Sequence, residues 1–192
     1  EGGRVYINGQ GDPFDTYAEL ARAVAGFSDR VRLVARGEVI ELEEDLRLEI
    51  LHPEKKLSGL SEDDEAVNNN SLVTRLIFGD AAVLLPADIY QTSMEKLLAS
   101  GQELSARIMV LPHHGNDGFS EAERLLLEAV NPDLVIKSSD WVEYQEQTSS
   151  ELQQHLNDKK IKLLITAELG ELDLALSKTG RIKFSAGSLV WK

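Results

Sequence analysis

The chain has 192 residues, 42% of them hydrophobic, enough to bury the core of one domain, and no apolar run approaches the roughly 18 residues that cross a bilayer as a helix. With 33 acidic against 20 basic residues the net charge is −13; no Lys/Arg cluster forms a nucleic-acid footprint, and an acidic surface repels phosphate backbones over about a Debye length. Cysteine is absent, which excludes disulfides, thiolate metal sites and cysteine nucleophiles and fits an extracytoplasmic setting.

The first residue is Glu1 rather than Met, so the sequence reads as a piece of a longer protein. Residues 4–8 read as a strand and 9–13 as a turn. Residues 16–27 place Leu20, Val24 and Phe27 at helical spacing. Short strands over 31–35 and 39–42 flank Gly37. In 46–51, Leu46, Leu48 and Ile50 alternate with charged residues, the pattern of a half-buried strand. Residues 53–70 are polar and acidic, with Glu62, Asp63, Asp64 and Glu65 in a row, and read as a long surface loop.

Two strands, 71–78 and 81–85, are joined by Gly79-Asp80 as a hairpin. A helix over 89–100 stops at Gly101. Residues 107–111 form an apolar strand that ends in Pro112-His113-His114-Gly115. Ser120 caps a helix running to Val130, with Glu123 at the capping-box position. A strand over 133–137 follows, then a helix to Asn157 capped by Ser149 or Ser150. Closing strands at 161–167, 171–177 and 181–185 turn at Gly170 and Gly180. Strand runs followed by alternating strands and helices predict a layered α/β domain with a mixed sheet. The strand at 108–111 is apolar on both faces and needs cover on both. A face left bare predicts pairing with a second copy as a homodimer, strand exchange, or disorder at one edge.

Three places carry candidate chemistry. Asp88 follows a buried strand, at the rim where α/β sites form, and reads either as a ligand or as the cap of the helix behind it. His113 and His114 end another buried strand. One imidazole can face a metal or phosphate there; the alternative is a hydrogen-bonded pair without chemistry. Asn68-Asn69-Asn70-Ser71 can donate to phosphate oxygens or simply make a strand-initiating turn. His52 and His155 read as structural or exposed. Trp141, Tyr144 and Trp191 are not grouped as a base-stacking platform. The first expectation for any hydrolase reading is that Asp88 and an imidazole from 113 or 114 meet at one rim of strand ends.

Taken in order, Leu48-Glu49-Ile50-Leu51-His52-Pro53, Asn68-Asn69-Asn70-Ser71-Leu72-Val73, the hairpin ending in Asp88, Val110-Leu111-Pro112-His113-His114-Gly115 and Asn131-Pro132-Asp133-Leu134-Val135-Ile136 form a series. This series is similar to the second half of the metallo-β-lactamase-like domain of ComEC-type competence proteins, over roughly residues 1–176. The resemblance implies an α/β fold, part (the C-terminal half) of an αββα sandwich with mixed sheets. The domain would run over residues 1–192 and lack the half that bears the first, histidine-rich metal motif.

The resemblance further implies a zinc- or manganese-dependent phosphodiesterase of nuclease type, weakly metallated in this piece. Asp88, His113 and His114 match metal ligands, with Asp88 and His114 as the catalytic pair. Asn70, Ser71 and His113 match substrate contacts. The implied setting is the extracytoplasmic face of a bacterial membrane, beside the channel part of a DNA-uptake protein and in contact with single-stranded DNA. A non-catalytic module of the same fold, kept for interaction or for guiding DNA, is the alternative. The sequence departs from the family pattern at two points. Pro86-Ala87 precedes the aspartate where Thr-Gly is usual, and Tyr144-Gln145-Glu146-Gln147 stands where Gly-His-Pro is expected, with Glu143 or Glu146 as conceivable substitutes.

Overall fold

A computed structural model describes residues 3–11, 15–59, 61, 63–115, 118–139 and 148–187. The readings placed on Glu62, Trp141, Glu143, Tyr144, Gln145, Glu146, Gln147 and Trp191 fall outside these residues.

Seven strands form one mixed sheet. They are β3 (Val39–Glu43), β4 (Leu46–His52), β5 (Val73–Phe78), β6 (Ala81–Leu85), β7 (Ile108–Val110), β8 (Leu134–Lys137) and β9 (Lys162–Ile165), side by side in chain order. β3 to β6 pair antiparallel, and β6 to β9 pair parallel. The switch follows from the connections. Short turns join β3 to β4 and β5 to β6, where Gly79 (φ 59°) makes the turn, and the longer segment 53–72 joins β4 to β5. Helices α3 (Gln91–Ala99), α4 (Glu121–Val130) and α5 (Ser150–Asp158) join the last four as crossovers.

Residues opposed across a ladder share a face. One row runs Leu84, Met109, Val135 and Leu163. It packs with Met94 and Leu97 of α3, Leu126, Leu127 and Val130 of α4, and Leu152 and Leu156 of α5. The next row, on the opposite face, runs Leu48, Leu76, Val83, Ile108 and Leu134. Its Ile108–Leu134 end lies under the hairpin of β10 (Leu172–Leu176) and β11 (Ile182–Ala186), through Leu172, Leu176 and Ile182. Leu48, Leu76 and Val83 are half-buried. At the far margin, β1 (Val5–Ile7) and β2 (Val31–Leu33) pair parallel in a separate two-stranded sheet beside α1 (Asp15–Ala25). No helix among the described residues is long and apolar enough to cross a membrane.

The helix starts expected at Ser120 and Ser149 are present. Ser120 Oγ accepts from Glu123 N at 3.1 Å, and Ser149 Oγ accepts from Leu152 N at 3.1 Å. Two expectations differ. Residues 53–70 hold a short helix, α2 (Asp64–Asn68), because the Asp63 carboxylate accepts from Glu65 N and Ala66 N. Asp63, Asp64 and Glu65 thus sit at a helix N-terminus, where negative charge is favoured. The strand expected over 161–167 ends at Ile165 and bends into α6 (Thr166–Leu169). There the Thr166 hydroxyl accepts from Ser139 N and donates to Ser139 O, which ties the bend to the end of β8.

The two sides of α4 set a stability test. Leu126 is 0% exposed and Leu125 is 40% exposed. Leu126→Ala is expected to lower unfolding free energy by about 2–5 kcal/mol. Leu125→Ala should change it by less than roughly 0.5 kcal/mol. Urea denaturation of both variants reads the difference.

Candidate functional site

The parallel strands β6, β7 and β8 all end on one side of the sheet, and each end contributes a polar group. In parallel sheets this side is where main-chain and side-chain groups gather beyond the strand ends. After β6 the chain reaches Pro86, then Ala87 in a left-handed conformation (φ 52°), then Asp88. After β7 it makes a tight turn in which His113, His114 and Gly115 are all left-handed, with φ 44°, 57° and 69°. The two turns are joined: His113 N donates to Ala87 O at 3.0 Å.

Left-handed backbone costs a residue with a Cβ on the order of 1–2 kcal/mol. Ala87, His113 and His114 all hold it at one rim, and such clustered strain is characteristic of sites whose geometry is over-determined by the surroundings. Gly115 relieves the turn in two ways. It tolerates the positive φ, and a Cβ there would meet Leu111 Cδ1 at 2.7 Å. Its carbonyl accepts from Lys137 Nζ at 3.4 Å, a lysine that is 0% exposed at the end of β8.

This backbone brings Asp88 and His114 together. His114 Nε2 lies 3.7 Å from Asp88 Oδ1, with both side chains a little under half exposed. His114 Nδ1 donates to the Ser138 carbonyl at 2.7 Å. A carbonyl only accepts, so Nδ1 carries the proton and Nε2 is directed at the carboxylate. This is the arrangement in which an imidazole ligates a cation: one nitrogen held by a carbonyl, the other turned to the metal. Two ligands about 2.1 Å from a tetrahedral cation stand ~3.4 Å apart, close to the spacing found here. The spacing of the pair is thus near that of two ligands on one tetrahedral cation such as zinc. Among the described residues, no group of three or more His, Cys, Asp or Glu side chains is placed to hold a metal ion.

Asp88 does not cap the helix behind it. α3 starts at Gln91, with Tyr90 in the N-cap position and no side-chain cap bond. Tyr90, which the sequence reading passed over, is central. Its N–H donates to Asn69 Oδ1 at 3.1 Å, and its hydroxyl lies 3.0 Å from His113 Nε2. The Tyr90 and His113 rings are 4.4 Å apart, centre to centre. Beside them is a cavity of about 440 Å³ whose walls include Glu65, Tyr90, Met94, Pro112, Gly115 and Glu123.

The asparagine run closes α2 and turns into β5: Asn70 N donates to Val67 O and Ser71 N to Asn68 O. Asn69 ties the turn to α3, since its carbonyl also accepts from Ser93 Oγ at 2.6 Å. Asn70 faces the other way, its amide donating to Gln10 Oε1 and its carbonyl accepting from Asn8 Nδ2. The structure thus joins Asp88 to His114 and His113 to Tyr90, and gives Asn70 partners near β1. Ser138 was findable, because it ends an apolar strand by the same rule that marked Asp88 and the histidines.

His52 is buried, 6% exposed, with Nε2 2.8 Å from the Asn69 carbonyl to which it donates. Burial is the largest influence and holds its pKa below the ordinary 6.5, against the Asn69 bond, which raises it; Lys96 and Arg36 lower it further. His155, by contrast, is half-buried with its ring 5.2 Å from Phe119.

A depressed histidine pKa means the unfolded chain binds the proton more readily. Stability from neutral His52 is therefore full above about pH 6.5 and declines as pH falls through the lower folded value. His52→Gln should flatten the decline between pH 7.5 and 5, read by urea denaturation at each pH, with the wild-type chain losing more than the variant.

No protein-family model matches the chain, and no curated protein is significantly similar to it.

Proposed function

We propose that Asp88 and His114 form part of the metal site of a phosphodiesterase, and that the chain is the C-terminal half of a metallo-β-lactamase-type αββα domain of a ComEC-type DNA-uptake protein. The observation that carries this reading is the pair itself: His114 Nε2 facing Asp88 Oδ1 at 3.7 Å, with Nδ1 held by Ser138 O. The seven-stranded mixed sheet, the half-buried face over Leu48, Leu76 and Val83, and the ordered motif series support the fold. On this reading the substrate is a phosphodiester such as single-stranded DNA, the partner is the parent protein's membrane channel, and the site lies on the extracytoplasmic side.

Zinc or manganese held there would activate water and neutralise charge on a phosphodiester. A carboxylate with an imidazole accepts either ion. The chain's own part is to fix two ligands rigidly, through Ser138 for His114 and through the Ala87–His113 bond for the rim. Ser71 serves as a substrate contact where the strand lies along the α2–β5 turn, whereas the Asn70 amide is taken by Gln10. With two ligands assembled, binding by this chain is weak, and the remaining donors come from the first half of the domain. The second reading is a non-catalytic module of the same fold for interaction or DNA guidance.

Titration with Zn²⁺ or Mn²⁺, followed by calorimetry and NMR, is expected to show one site weaker than micromolar, centred on Asp88 and His114. Asp88→Ala and His114→Ala should each remove it. Micromolar binding at two sites, or no response at these residues up to millimolar metal, would contradict the proposal. In the longer parent protein, Asp88→Ala should slow Mn²⁺-dependent cleavage of a single-stranded oligonucleotide by about tenfold or more. An unchanged rate favours the module.

A further inference from the structure

His113 and His114 are neighbours on one left-handed turn, yet their rings are held differently. His114 is fixed at Nδ1 by a main-chain carbonyl and turns Nε2 to a carboxylate. His113 has its Nε2 3.0 Å from the Tyr90 hydroxyl, with the two rings in contact and tilted by 53°.

Tyr90 is itself fixed. Its main-chain N–H is held by Asn69 Oδ1, and Asn69 is held in turn by Ser93 and His52 through its carbonyl. The Tyr90 oxygen lies 3.5 Å from Asn68 Nδ2. An amide nitrogen donates, so the phenolic oxygen is the acceptor in that contact. Among the described residues, the other close partner is His113 Nε2, 3.0 Å away, and the phenolic proton points to it. A neutral imidazole that accepts at Nε2 carries its proton on Nδ1.

We propose that Tyr90 is a positioning residue that separates the roles of the two histidines. Its hydroxyl donates to His113 Nε2, which takes that nitrogen out of cation coordination and fixes His113 as an Nδ1–H donor. His114 alone of the pair then joins Asp88 as a ligand. A nitrogen that carries its proton donates a hydrogen bond and cannot ligate a cation. Asn68 and Asn69 act on the site through Tyr90. The division of roles rests on the metal-site reading of Asp88 and His114; the hydrogen bond between Tyr90 and His113 does not.

The test is long-range ¹H–¹⁵N NMR of the metal-free chain, whose 4 histidines are assigned by single substitutions. His113 is expected as one tautomer, protonated at Nδ1 and accepting at Nε2. The Nε2–H tautomer in the wild-type chain would overturn the proposal, whatever any variant does. Tyr90→Phe keeps the ring and its packing on His113, and is expected to lose the Nδ1–H signature. An unchanged signature in a folded Tyr90→Phe protein also overturns it, because packing alone would then fix the ring.

Addition of Zn²⁺ should shift the Nε2 resonance of His114 and leave that of His113 in the wild-type chain. In Tyr90→Phe both should shift. A zinc response at His113 Nε2 in the wild-type chain counts against the proposal. No zinc response at His114, with the His113 tautomer as expected, sinks the metal-site reading and the ligand half of this one, and establishes the Tyr90–His113 bond by itself.

Discussion

The hydrogen bond from His113 N to Ala87 O is the constraint on which the rim depends. β6 and β7 are paired in parallel through Val83 with Ile108 and Leu84 with Met109, and beyond those pairs the ladder ends. Without a further tie the two chains would leave the sheet separately. Left-handed turns at Ala87 and at His113–His114 bring them back within bonding distance, and the bond sets the spacing of the residues that follow. The distance between Asp88 and His114 is thus a property of the backbone. Long side chains on a flexible surface would have to lose rotamer freedom to meet. Here the loss is small, because the short Asp88 side chain and the carbonyl-held His114 ring are already aimed.

Beneath the rim lies a second layer of support. Lys137 is fully buried and donates to the carbonyl of Gly115, itself a buried residue. Thr166 closes the end of β8 through both main-chain groups of Ser139, and this holds the Ser138 carbonyl where His114 needs it. The short helix after β9 follows from that contact. The site draws on β6, β7, β8 and the bend after β9, though the facing pair Asp88 and His114 follows only two of them.

Much of this was legible because the relevant signals are local. Asp88, His113 and His114 stand out as polar residues directly after apolar strands, and Ser120 and Ser149 as caps before amphipathic runs. What was not legible depends on partners distant in sequence. Tyr90 looks like the start of an amphipathic helix until Asn69 and His113, 21 and 23 residues away, are seen against it. His52 precedes a proline on a half-polar strand, and nothing local marks it as buried under the Asn69 carbonyl. Strands β10 and β11 have the alternation of sheet members, and alternation cannot say which sheet. They pair with each other and fold onto the face of β7, β8 and β9, because the apolar row there would otherwise face water.

The charge of the chain sets the order of events on the proposed reading. A net charge of −13 draws cations toward a carboxylate rim and repels a phosphodiester strand from the same place. A cation between Asp88 and His114 would reverse the local sign before an anionic substrate arrives. Added salt acts on the two encounters in opposite senses, weakening the attraction for the cation and the repulsion of the strand. A basic nucleic-acid binder loses affinity steadily as salt rises. A site of this kind would instead be limited by its cation, and its response to salt would follow metal occupancy rather than phosphate contacts.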